Sequence, residues 1–166
     1  MKQTILFVIA LLCGCVASGD THAQLESAKR GDARVTRALN QTDLQYTVDK
    51  DGDFRVSFDV GSGRSQMALV FSATEQLRNL EIREVRSAAM VSKSPLSSAV
   101  ANRLLQENFR NKLALWGVQK SGSSYIVVCI IRVAADSDGE TLETALRLAG
   151  QQADDMEKVL TGKDDY

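Results

Sequence analysis

The chain predicts an α+β domain, an antiparallel sheet of five to six strands with flanking helices in the order α-β-β-β-(β)-α-β-β-α. Three patterns lead there. Between residues 44 and 60, apolar residues alternate with polar ones on both sides of Asp51-Gly52, as in a half-buried hairpin. Residues 96–109 and 142–160 instead repeat their apolar side chains every three or four positions, as amphipathic helices do. Between these two helices lies Ile126-Val127-Val128-Cys129-Ile130-Ile131, a run without polar alternation that reads as a strand covered on both faces.

Leu25–Gln41 reads as the first helix, with Ala28, Val35, Ala38 and Leu39 near one face, and Gly31 weakening its first turn. The period then changes to two. Leu44, Tyr46 and Val48 form one strand, and Phe54, Val56, Phe58 and Val60 the next. Gly61-Ser62-Gly63 reverses the chain into a third strand carrying Met67, Leu69 and Phe71 on its apolar side, and Leu80 and Ile82 open a fourth. Val85 breaks the parity of that fourth strand, which predicts a bulge or an early end.

Ser94-Pro95 is a helix start, because serine caps free amides and proline tolerates the first helical position. Leu96, Val100, Ala101, Leu104 and Leu105 follow on one stripe of a helix that continues to Phe109. A second hairpin comes next, with Leu113–Gln119 leading through a turn into Tyr125–Ala134. The last helix begins near Asp138 to Glu140 and aligns Leu142, Ala145, Leu146, Ala149, Ala153, Met156 and Leu160. Residues 24–162 therefore read as one domain, followed by a frayed acidic tail, 163–166.

The first 23 residues read as a secretory signal. Lys2 precedes the apolar run Ile5–Ala17, and Thr21-His22-Ala23 ends in a small residue suited to cleavage after Ala23. Leu12-Cys13-Gly14-Cys15 leaves a second reading open, a lipobox in which Cys15 is lipidated and anchors the chain to a membrane. The run is shorter than the roughly 20 apolar residues of a spanning helix. The expected location is thus periplasmic or secreted, or a membrane surface if Cys15 is acylated.

Loss of this leader removes His22, the only histidine, and with it the commonest general base and metal ligand. It also removes Cys13 and Cys15, leaving Cys129 with no intramolecular disulfide partner. The leader carries one basic residue, Lys2, and one acidic residue, Asp20, so the net charge stays at −1. A nucleic-acid footprint would need a basic excess, which is missing.

The remaining chemistry-bearing residues read as structural. Asp49-Lys50-Asp51-Gly52-Asp53 resembles a calcium loop, but Phe54 and Val60 stand where an EF-hand needs glycine and a bidentate acid. Cys129 lies among aliphatic residues that raise a thiol pKa, so it reads as inert core. Gly61-Ser62-Gly63-Arg64 lacks the helix that follows a phosphate loop. The pairs Glu81 and Glu84, or Asp154 and Asp155, sit at positions that read as solvated surface. Asn108 continues the apolar stripe of the middle helix, where a polar amide needs partners, and is read as holding backbone groups near Leu113. Trp116 and Tyr125 fall on facing strands and are expected to touch. No catalytic, cofactor or metal residue is assigned.

Leu104-Leu105-Gln106-Glu107-Asn108-Phe109-Arg110-Asn111, followed by Leu113–Val118, a turn and an apolar strand, resembles the YbjN-like family of bacterial proteins. The likeness extends to Gly52-Asp53-Phe54 and to Met156 and Leu160, and covers roughly residues 30 to 162. It implies a fold similar to type III secretion chaperones, small α+β proteins that bind other proteins without catalysis. It carries over no catalytic residue. Family members are generally cytoplasmic, whereas this chain carries an export signal.

The resulting expectation is a non-enzymatic, chaperone-like binding or regulatory domain of the bacterial envelope. Its partner would be another protein or a second copy of itself, with no cofactor. The alternatives are a lipid-anchored envelope lipoprotein with a ligand-binding or structural role and, less favoured, a small histidine-free hydrolase built from Ser, Asp or Glu.

Overall fold

The structure, a computed structural model, describes residues 30–166. Cleavage after Ala23, lipidation at Cys15 and the expected helix start at Leu25 all lie outside those residues. Among the described residues there are three helices, α1 (Ala33–Leu39), α2 (Ser98–Arg110) and α3 (Gly139–Leu160). The strands are β1 (Tyr46–Val48), β2 (Phe54–Gly61), β3 (Arg64–Leu77), β4 (Leu80–Ser92), β5 (Leu115–Ser121) and β6 (Ser124–Ala134). All six form one antiparallel sheet in the order β1-β2-β3-β4-β6-β5. The α+β architecture and the element order match those expected from the chain, with the fourth strand fully formed.

Each element begins where local chemistry supplies its first hydrogen bonds. The first helix is shorter than expected, because residues 30–32 are not helical and the Asp32 carboxylate caps the Arg34 amide at 2.8 Å. Gly31 is there for space, since a Cβ at that position would lie 2.4 Å from the Phe54 ring. The Asp51-Gly52 turn forms, with Gly52 at φ 87°. The middle helix starts three residues after Ser94-Pro95, at Ser98, with the Ser97 hydroxyl accepting from the Val100 amide at 3.3 Å. Asp138 caps α3 through the Thr141 amide at 2.9 Å.

The helices cover one side of the sheet, and their buried residues join the inward strand positions in a single core. α3 runs across β4, flanked by β3 and β6, and inserts Leu142, Ala145, Leu146, Ala149, Ala153 and Met156. The strand positions beneath it are short, Ala68 on β3 and Ser87 and Ala89 on β4. This close approach reverses one expectation. On β3 the buried residues are Gln66, Ala68 and Val70, while Met67, Leu69 and Phe71 lie half-buried on the other side.

Two further expectations are corrected. β4 does not end at Val85. Its inward positions are Arg83, Val85, Ser87 and Ala89, and the arginine at the first of them disguised the period. The irregularity expected at Val85 is there as a bulge: the pairing with β3 shifts between Val70↔Val85 and Thr74↔Arg83, and a second shift lies between Ala88 and Met90 on β4. β6 is internal to the sheet, but helices cover only the side of Val127, Cys129 and Ile131, leaving Ile126 and Ile130 half-buried on the open side. Cys129 is fully buried, and burial pushes its thiol up to about 12.

Arg83 is the largest fully buried side chain among the described residues. Its guanidinium donates to the carbonyls of Phe71 at 2.5 Å and Ser72 at 2.9 Å and to the Asp32 carboxylate at 2.6 Å. The residue that starts α1 is thereby tied to the middle of the sheet. Residues 163–166, read as a frayed tail, lie against the end of α3, where the Asp165 amide donates to Glu157 at 2.7 Å.

Candidate interaction surface

α2 stands at the β5 edge of the sheet and is locked there by one side chain. The Asn108 amide donates to the Trp116 carbonyl at 3.1 Å, and its oxygen accepts from the Trp116 amide at 2.5 Å. β5 has a strand neighbour on one side only, so Asn108 occupies hydrogen-bonding groups that an edge strand leaves open. Asparagine suits the task because one end donates and the other accepts. Trp116 itself is buried and paired in register with Cys129. Tyr125 lies opposite Lys120 instead, so the expected Trp116–Tyr125 contact does not form.

The apolar stripe of α2 is wider than the sheet can cover. Only Leu104 is buried, whereas Leu105 is 65% and Phe109 93% exposed, and Leu113 just beyond the helix is 63% exposed. Sequence periodicity placed Leu104 and Leu105 on one buried stripe. In the structure they separate because consecutive helical residues point about 100° apart and β5 receives only one of them. The signal was present in the sequence, an apolar arc too broad for one contact. Asn102, Leu105, Gln106, Phe109 and Arg110 line an open depression of about 380 Å³ on this surface.

The open side of the sheet is a second apolar surface, but charged side chains lie over it. Arg86 stacks on the Phe71 ring at 4.4 Å and is paired with Glu84, which also pairs with Arg132 at 2.8 Å. Burial alone would raise the Glu84 carboxyl, but these two arginines outweigh it and leave it lowered. Phe71, Ala73, Thr74, Ile82, Glu84 and Arg86 border a depression of about 250 Å³ there.

The carboxylates considered as acid and base candidates are engaged with cations. Glu81 accepts both terminal nitrogens of Arg34, at 2.8 and 2.9 Å, and that bond, followed by one from Thr74, holds its carboxyl down to about 2. Asp154 is not on the surface. It is fully buried beside Glu157, with Arg64 at 2.5 Å and Lys158 at 2.6 Å. Burial opposes its ionisation, yet Lys158 and Arg64 keep its carboxyl below the ordinary range. Asp155 stays exposed. In the resemblance to a calcium loop, Asp49 accepts the amides of Asp51 and Asp53 at 2.9 and 3.0 Å, and Asp53 accepts from Ser72 at 2.8 Å. Those oxygens serve the turn itself.

These pairs make stability depend on acid pH. Asp32, Glu81 and Asp154 have folded pKa values below their unfolded ones, so the unfolded chain binds more protons as the pH drops. Their contribution is fully present above the unfolded values near 4 and is lost as the pH falls towards 2. The urea midpoint is expected to decline steadily from pH 5 to pH 2, and less steeply in Arg34→Gln. A midpoint that stayed level across this window would show that the pairs do not persist in solution.

Comparison with protein families, curated proteins and solved structures returns no match.

Proposed function

We propose that this chain is a non-enzymatic protein-binding domain, exported to the bacterial envelope, with a chaperone-like arrangement of the YbjN kind. The observation that carries the binding reading is Phe109, 93% exposed on a helix that Asn108 holds rigidly against the sheet. A phenyl ring kept in water costs solvation free energy, on the order of 2–3 kcal/mol relative to burial, so a fixed and exposed aromatic marks a contact surface. Aromatic anchors in such surfaces supply a large share of binding energy. The arginine-paired state of Glu81, Glu84 and Asp154 supports a structural role for these acids over an acid–base one.

The reading is tested with a photo-crosslinking phenylalanine analogue at position 109, and at the exposed polar position Arg147 of α3 as control. Irradiated cells are expected to yield protein adducts from position 109 in excess of those from position 147. Equal yields from both would remove α2 as the binding surface.

A further inference from the structure

We infer that the outward side of α2 docks an acidic amphipathic helix of another protein. The inference rests on the binding reading above and names the chemistry of the partner. At about 100° per residue, the outward side of α2 divides lengthwise into two rows. One row carries Asn102, Leu105 and Phe109, the other carries Arg103 and Arg110, and Gln106 lies between them. The depression of about 380 Å³ spans that boundary, since Leu105, Phe109 and Arg110 all line it.

Positive charge is concentrated here. From Lys93 to Lys120 the chain has five basic residues and one acidic residue, a net +4, whereas the whole chain has −1. The single acid, Glu107, pairs with Arg110 at 3.1 Å. Arg103 is exposed and, among the described residues, has no acidic partner within salt-bridge distance. Arg110 and Lys112 also suit the end of a helix, where cations meet the partial negative charge of the last carbonyls. Arg103 sits in the middle of α2, where that reason does not apply.

An amphipathic helix lying along the boundary supplies both complements, apolar side chains for Leu105 and Phe109 and carboxylates for Arg103 and Arg110. The two arginines are seven residues apart, about 10 Å along the axis, so the matching carboxylates recur every seven residues in the partner. A bilayer suits this face less well. Its hydrocarbon would cover Asn102 and Gln106 without offering their amides a partner, whereas a peptide brings polar side chains of its own. A 13-residue helix is about 20 Å long, which places the contact at the small end of specific interfaces and the dissociation constant in the micromolar range.

The probes are two synthetic helices of about 18 residues with the same leucine row. One carries glutamates every seven residues beside that row, and the other carries lysines there. Fluorescence anisotropy with the protein in its exported form is expected to show micromolar binding of the acidic helix, weakening as salt rises. Arg103→Glu and Phe109→Ser are each expected to weaken it about tenfold or more with the urea midpoint unchanged. The lysine helix is expected to bind Arg103→Glu more tightly than the natural chain, which a merely unfolded variant would not do. In cells, Arg103→Glu is expected to lower the yield of protein adducts at position 109 severalfold.

Equal affinity for the two helices, or an adduct yield indifferent to Arg103→Glu, would overturn the inference. So would position-109 adducts made of two copies of this chain, or anionic phospholipid vesicles that bind through Arg103 while the acidic helix does not. Adducts with a different protein that do not depend on Arg103 remove the acidic partner and keep the binding reading. Absence of adducts from position 109 removes both.

Discussion

Replacing Arg83 with methionine is expected to destabilise the domain by about 3–5 kcal/mol, the usual effect of removing one partner from a buried ion pair. Methionine fills the space of the arginine stem but cannot donate, so the carbonyls of Phe71 and Ser72 and the carboxylate of Asp32 all lose a charged partner. Asp32 keeps Arg34, and its side chain is 17% exposed, which places the effect towards the lower end of the range. Asparagine at position 32 can still cap α1, and it carries no charge to leave uncompensated. The double variant Asp32→Asn/Arg83→Met is therefore expected to recover about 1 kcal/mol relative to Arg83→Met alone. Urea unfolding of the four chains measures both quantities. A single variant within about 1 kcal/mol of the natural chain would mean that Arg83 is not held as described.

Asn108→Ala is expected to destabilise by about 2 kcal/mol and, more specifically, to loosen α2. Alanine favours the helix but leaves the Trp116 amide and carbonyl without partners until water reaches them. Trp116 is the only tryptophan and is buried against this helix edge, so its fluorescence reports the event. Emission is expected to shift to longer wavelength under native conditions, before global unfolding, with amide exchange faster in residues 98–110 than in α3. An unchanged spectrum with normal exchange would show that packing around Leu104 alone holds the helix. Because Asn108 orients Phe109, the same substitution is expected to weaken association through α2.

Much of the architecture was legible because it follows from spacing along the chain. The alternation of Phe54, Val56 and Phe58, the Asp51-Gly52 turn and the inward row of α3 each depend on neighbours a few residues away. The polar partner needed by Asn108 was legible too, since an amide on an apolar stripe has to be satisfied. Misreadings arose where one pattern admitted two answers. β3 is apolar on both sides, and the larger residues Met67, Leu69 and Phe71 suggested the core. The close approach of α3 put the smaller Ala68 inside instead.

The α+β class, the succession of helices and strands and the rows of residues that each element can bury were readable along the chain. Those properties arise from local periodicity, capping and turn chemistry. Tertiary structure alone decided which rows are buried, because burial depends on groups far apart in the chain. Arg83 is inside because Asp32, 51 positions away, meets it there, and Asp154 is inside because Arg64, 90 positions away, does the same. Leu105 and Phe109 are outside for the complementary reason. β5 offers α2 only one line of contact, Leu104 and Asn108 fill it, and the rest of the apolar arc is left facing outward.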